Sequence, residues 1–82
     1  MAATIKAPLP GTFYRRSNPD AEAYVSEGDS VQAGDVVGLI EVMKTYYEVR
    51  SEQPGVVERF LVDNGDPVEA GQEVVALADA AA

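Results

Sequence analysis

The stretch Val25-Ser26-Glu27-Gly28-Asp29-Ser30-Val31-Gln32-Ala33-Gly34-Asp35-Val36-Val37 returns later in the chain as Val62-Asp63-Asn64-Gly65-Asp66-Pro67-Val68-Glu69-Ala70-Gly71-Gln72-Glu73-Val74. Seven of the thirteen positions are identical at a constant offset of 37 residues, and both copies run on into apolar sequence. A second pair lies upstream of each copy. Pro10-Gly11-Thr12-Phe13-Tyr14-Arg15 matches Pro54-Gly55-Val56-Val57-Glu58-Arg59 at an offset of 44. The two offsets differ by seven, so the first half carries seven extra residues between Arg15 and Val25. The chain therefore reads as two like halves, one bearing a short protrusion at about residues 16–24, with Ser51 to Pro54 as the link.

Local chemistry makes these halves β. Apolar runs are short and rich in Val, Ile, Phe and Tyr, and Gly or Pro interrupts them every few residues. The pattern predicts strands at Thr4–Ala7, Thr12–Tyr14, Ser30–Val31, Val36–Val42, Tyr46–Arg50, Val56–Phe60, Pro67–Val68 and Val74–Ala78. No window of a dozen residues keeps a helical period without meeting Gly or Pro. The Gly-Asp pairs at 28–29 and 65–66, with Gly34 and Gly71, supply the positive φ angles of tight turns. Two halves of about four strands predict an all-β flattened barrel of interlocked sheets related by a pseudo-twofold axis, in which most strands find a partner. Where one half has the hairpin around Lys44, the other has the chain ends, so tip and ends are expected at opposite poles.

Composition narrows the chemistry. Eighty-two residues make one domain, 1–82. The absence of Cys and His removes disulfides, the commonest general base and the commonest metal ligands. The carboxylates show no calcium-loop spacing, and no phosphate-binding glycine loop is present. No catalytic residue and no metal site are expected. The net charge of -8, from 14 acids and 6 bases, argues against nucleic acid and for a soluble monomer. No segment reads as a signal peptide or bilayer span, which makes the cytosol the expected compartment.

The hairpin tip is the chemical focus. Glu41-Val42-Met43-Lys44-Thr45-Tyr46 must reverse the chain without a Gly, Pro, Asn or Asp, so something other than turn propensity dictates its side chains. Lys44 is one of only two lysines and offers a flexible stem ending in an amine. The sequence supplies neither a buried pocket nor a neighbouring cation that would activate it, which makes it a target for another enzyme and not a catalyst. Tyr46 and Tyr47 alternate along a strand, so one is expected to face the core and the other solvent. Met43 either packs on a partner or caps the barrel end. Arg15 and Arg16 meet either an acidic partner or the chain's own acids.

At these residues the sequence resembles the biotin carboxyl carrier proteins. Glu41-Val42-Met43-Lys44 is similar to their biotin-attachment motif, and the framework around it agrees: Ala7-Pro8, Pro10 to Arg15, Pro19-Asp20-Ala21, Glu27-Gly28-Asp29, Pro54 to Val57 and Asn64 to Val68. Two positions depart from the usual motif, Val42 for alanine and Thr45 for a second methionine. The resemblance implies a barrel-sandwich hybrid whose protrusion is a thumb, with Asn18, Pro19, Asp20 and Ala21 covering the biotin ring. It implies covalent biotin on Lys44, with Glu41, Val42, Met43 and Thr45 read by a biotin protein ligase. It further implies a non-catalytic shuttle, carrying carboxybiotin from biotin carboxylase to a carboxyltransferase, with acetyl-CoA carboxylase of fatty acid synthesis suggested by the thumb. Family members usually carry an Ala/Pro-rich linker ahead of this domain, which leaves two readings of Met1, a native start or the boundary of an excised piece. Two alternatives stand beside this reading: a lipoyl carrier of a 2-oxoacid dehydrogenase, where an aspartate usually precedes the lysine, and an unmodified binding module of the same fold.

Overall fold

The structure is a computed structural model that describes residues 3–18 and 20–78. Eight strands form in chain order: β1 (Ala3–Lys6), β2 (Gly11–Tyr14), β3 (Ser30–Val31), β4 (Val36–Val42), β5 (Thr45–Arg50), β6 (Gly55–Phe60), β7 (Pro67–Val68) and β8 (Glu73–Ala78). They build two antiparallel four-stranded sheets, ordered β1-β8-β6-β3 and β5-β4-β2-β7. Every strand expected from the sequence is present, with ends displaced by a residue at most. No described residue is helical.

The repeat is visible in the hydrogen bonds. Leu39 pairs with Glu48, and Ala76 with Thr4, the positions that the offsets of 37 and 44 make equivalent. Gly11 opposite Val68 is matched by Gly55 opposite Val31. The turns repeat as well. The Asp29 carboxylate accepts from the Ser26 amide at 2.9 Å, and Asp66 accepts from Asp63 at 2.8 Å. Gly28, with φ 93°, donates its amide to Val57, and Gly65, with φ 92°, donates to Phe13, each at 2.7 Å. These bonds run between halves, so each half completes the turns of the other. That is the physical content of the pseudo-twofold relation.

Between the sheets lies one core of alternate side chains, including Phe13, Val31, Val37, Ile40, Val49, Val57, Val68, Val74 and Leu77. Most occur as equivalent pairs, such as Val31 with Val68, Val37 with Val74 and Ile40 with Leu77. Where the halves differ, they exchange bulk. Phe13 stands where the other half has Val57, and its ring fills the space over Gly38, whose place Val75 takes in the second half. A Cβ on Gly38 would come within 2.6 Å of the Phe13 ring.

Candidate functional site

The β4–β5 hairpin closes at the pair Val42 and Thr45, leaving Met43 and Lys44 as a two-residue turn. Both have positive φ, 49° and 66°, as a turn matched to the strand twist requires. Such turns normally use Asn-Gly. Two long L side chains in the left-handed region cost about 1–2 kcal/mol each. The expectation that something other than turn propensity sets these residues acquires a structural form here: the chain accepts strain to keep Met43 and Lys44 at the apex.

Both apical side chains are exposed, Met43 to 92%, so Met43 does not cap the barrel. Thr45 is also exposed, whereas Val42 packs against the edge of the core and roots the hairpin. Glu41 is half-buried and accepts a hydrogen bond from the Tyr14 hydroxyl at 3.3 Å. The tip belongs to one sheet, while Ala3 and Ala78, near the chain ends, belong to the other.

Tyr46 and Tyr47 correct the alternation argument. Both are exposed, 55% and 43%. Tyr47 does lie opposite the buried Ile40, but β5 is an edge strand whose first four residues are all exposed. Val49 is its one buried residue.

The protrusion is a small closed loop. Arg16 bridges Ala23, and the Tyr24 amide donates to the Arg15 carbonyl at 2.9 Å. Asn18 organises its turn, accepting from the Asp20 amide through Oδ1 at 2.9 Å and from the Ala21 amide through its carbonyl at 3.1 Å. Pro19, expected with them, lies outside the described residues. At the base, Asn64 Oδ1 accepts from the Arg15 amide at 2.7 Å, fastening the loop to the β6–β7 turn. Of the two expectations for the arginines, contact with the chain's own acids is not met among the described residues, since neither pairs with a carboxylate there. Arg15 instead lies over the Phe60 ring, 3.9 Å from its centroid.

The loop and the hairpin flank a half-open cavity of about 290 Å³ lined by Tyr14, Arg16, Ser17, Asn18, Tyr46 and Asn64. Of the loop residues expected at the site, Asn18 lines it. Asp20 and Ala21 do not. Tyr14, Tyr46, Arg16 and Asn64 are contributors that motif reading missed. Burial, then the Glu41 charge and the hydrogen bond to it, then Tyr46, push the Tyr14 phenol above the usual tyrosine range. A larger cavity, about 420 Å³, runs along β1 and β5 between Lys6, Glu48 and Arg50. It contains no tip residue, and Glu48 and Arg50 already pair with each other.

Fold and site together define a class: an all-β module of two like halves that lifts one primary amine on a strained turn beside a small hood. The chain belongs to the biotin/lipoyl family, described as biotin-requiring enzyme, whose profile it matches over residues 3–77. It is 40% identical over 68 residues to the biotin carboxyl carrier protein of acetyl-CoA carboxylase from Pseudomonas aeruginosa, covering 83% of this chain and 44% of that protein. It is 43% identical over 70 residues to the same carrier from Chlamydia trachomatis, covering 85% and 43%. Among solved structures, the Kluyveromyces lactis urea carboxylase superposes with a TM-score of 0.77 at 35% identity, covering 95% of this chain and 6% of that one. The chain thus spans less than half the length of the curated relatives it matches.

Proposed function

We propose that residues 1–82 act as one biotin carboxyl carrier domain, acylated by biotin at Lys44, in an acetyl-CoA carboxylase. The observation that carries this is the turn at Met43 and Lys44, where strain is tolerated to keep two long side chains at the apex. The relatives that match most of the chain are named carriers of that carboxylase, which favours biotin over a lipoyl group.

The residues fit the cofactor. Lys44 stands exposed on a backbone held by the Val42–Thr45 pair, open to an activated acyl donor bound on another protein. Biotin, once bound, supplies a ring nitrogen that accepts and gives up a carboxyl group. The chain's own part is mechanical and electrostatic. The hairpin holds the arm clear of the core, and the loop cavity, two residues along the strand from Lys44, offers a resting place for a small ring. Amide formation also removes the Lys44 charge. Tethering keeps the arm at high effective concentration for two enzymes without exchange with solution.

The partners follow from this reading. A biotin protein ligase reads Glu41, Val42, Met43 and Thr45 around the lysine, a biotin carboxylase loads the arm, and a carboxyltransferase unloads it. The domain works as a monomer in the cytosol, where ATP and bicarbonate are at hand. Co-expression with a biotin ligase is expected to give quantitative retention on streptavidin, with one biotinyl group found by mass spectrometry. Lys44→Arg, which leaves Lys6 in place, is expected to abolish retention. Retention of that variant would overturn the site.

A further inference from the structure

The loop cavity differs in charge from the rest of the surface. Acids outnumber bases by 14 to 6 in the chain, yet among the described residues no carboxylate lines this cavity, and its single charged group there is Arg16. The Arg16 Nε is shielded from solvent and has no hydrogen-bond partner among the described residues, a costly state for a charged donor. Glu41, the nearby carboxylate on β4, is already engaged by the Tyr14 hydroxyl. Arg15 also has an unpartnered Nε, but its guanidinium is accounted for by the Phe60 ring, while that of Arg16 is not. The loop carrying Arg16 is also the part of the chain without a counterpart in the second half.

We propose that Arg16 is a carboxylate-binding group, which holds the anionic cargo of the Lys44 arm against the loop and releases the arm when it is discharged. This deepens the carrier reading and rests on it. The ring of unloaded biotin is neutral and offers a guanidinium only its uncharged urea carbonyl as a strong acceptor, whereas the loaded arm ends in a carboxylate. A guanidinium presents paired donors in the plane a carboxylate fits, and the bond is charge-assisted. Tyr46 lies two residues beyond Lys44, about 7 Å of strand, so an arm on the turn has a short path to the cavity. Loss of carbon dioxide moves negative charge from the carboxylate onto the ring. A cation paired with the carboxylate therefore stabilises the loaded state more than the transition state and slows that loss.

The test starts from domain biotinylated by a ligase, with incorporation checked by mass. If Lys44 takes no biotin, the functional reading fails and the Arg16 role falls with it. Biotinylated domain is then loaded by biotin carboxylase with ATP and labelled bicarbonate, separated from the enzyme, and followed for first-order loss of label. Arg16→Gln is expected to lose label about tenfold faster than the unaltered chain, with Arg16→Lys between them. In nitrogen-15-labelled unaltered protein, the Arg16 Nε–H resonance is expected to move on loading and to stay in place on biotinylation alone. That measurement decides the matter even if the variants load poorly. Equal lifetimes for Arg16→Gln and the unaltered chain, or an Arg16 resonance indifferent to loading, would overturn the role while leaving Lys44 as the biotin site.

Discussion

Met43 and Lys44 show how a functional demand is written into a backbone. At φ 49° and 66° each side chain crowds its own carbonyl, an arrangement glycine would adopt freely. Because Met43 is 92% exposed, it recovers almost nothing by packing. Met43→Gly is therefore expected to stabilise the domain by about 0.5–1 kcal/mol, once the greater entropy of glycine in the unfolded chain is counted. Thermal unfolding should move up by a few degrees, since about 1 kcal/mol corresponds to roughly 4–8 °C in a domain this small. The same variant should be biotinylated more slowly in a ligase time course. A melting point that stayed still or fell would mean that the turn carries no strain. The lack of any turn-forming residue at 43–44 made this strain legible in the sequence. The reason for Gly38 was not. It sits in an apolar strand run and looks like a weakness there, because the ring that needs its space belongs to Phe13, 25 positions earlier.

The hairpin and its neighbouring strand work as a unit through Tyr14 and Glu41. The phenol donates to the carboxylate, and burial together with that charge keeps the proton on. A tyrosine whose folded pKa lies above its unfolded value binds more protons when folded. Its contribution to stability is thus fully present below about pH 10 and is lost as pH rises through the folded value. Unfolding midpoints measured in denaturant are expected to fall on the alkaline side of pH 10, and to fall less steeply in Tyr14→Phe. Absorbance titration should show one phenol ionising above the ordinary tyrosine range, and that step should vanish in the variant. A Tyr14→Phe titration identical to that of the unaltered chain would place the shifted group elsewhere. The strands themselves were readable from Gly, Pro and β-branched spacing, since each signal is local. The Tyr14–Glu41 bond, Arg16 in the cavity and Asn64 under the loop were not, because each joins segments that only sheet pairing brings together. One signal did exist. Aligning the halves sets Tyr14 against Glu58, Leu39 against Ala76 and Glu41 against Ala78. Two of these divergent positions, Tyr14 and Glu41, are the pair bonded to each other beside the hairpin.

The two sheets also say which part of the chain the fold can do without. Every strand pairing in one sheet has its equivalent in the other, and turns of each half are closed by hydrogen bonds from its partner. The loop at 16–24 alone stands outside this scheme. Its place in the second half is taken by Phe60 and Leu61. No described residue of the loop is fully buried, so removing it takes no side chain out of the core. Replacing residues 16–24 by Phe-Leu shortens the connection from nine residues to two, which by loop-closure entropy alone favours folding by about 1 kcal/mol. Against this stand the bonds that close the loop, Tyr24 to Arg15 and the bridge of Arg16 to Ala23, of similar total weight. The shortened protein is therefore expected to fold with a stability within about 1 kcal/mol of the original. It should still be retained by streptavidin after co-expression with a ligase, because the hairpin at Lys44 takes no strand partner from the loop. What it should lose is the hold on the loaded arm, read as faster first-order loss of labelled carboxyl than from the unaltered chain. A shortened chain that failed to fold would show that the loop is part of the scaffold. The equivalence of the halves would then stop at the strands.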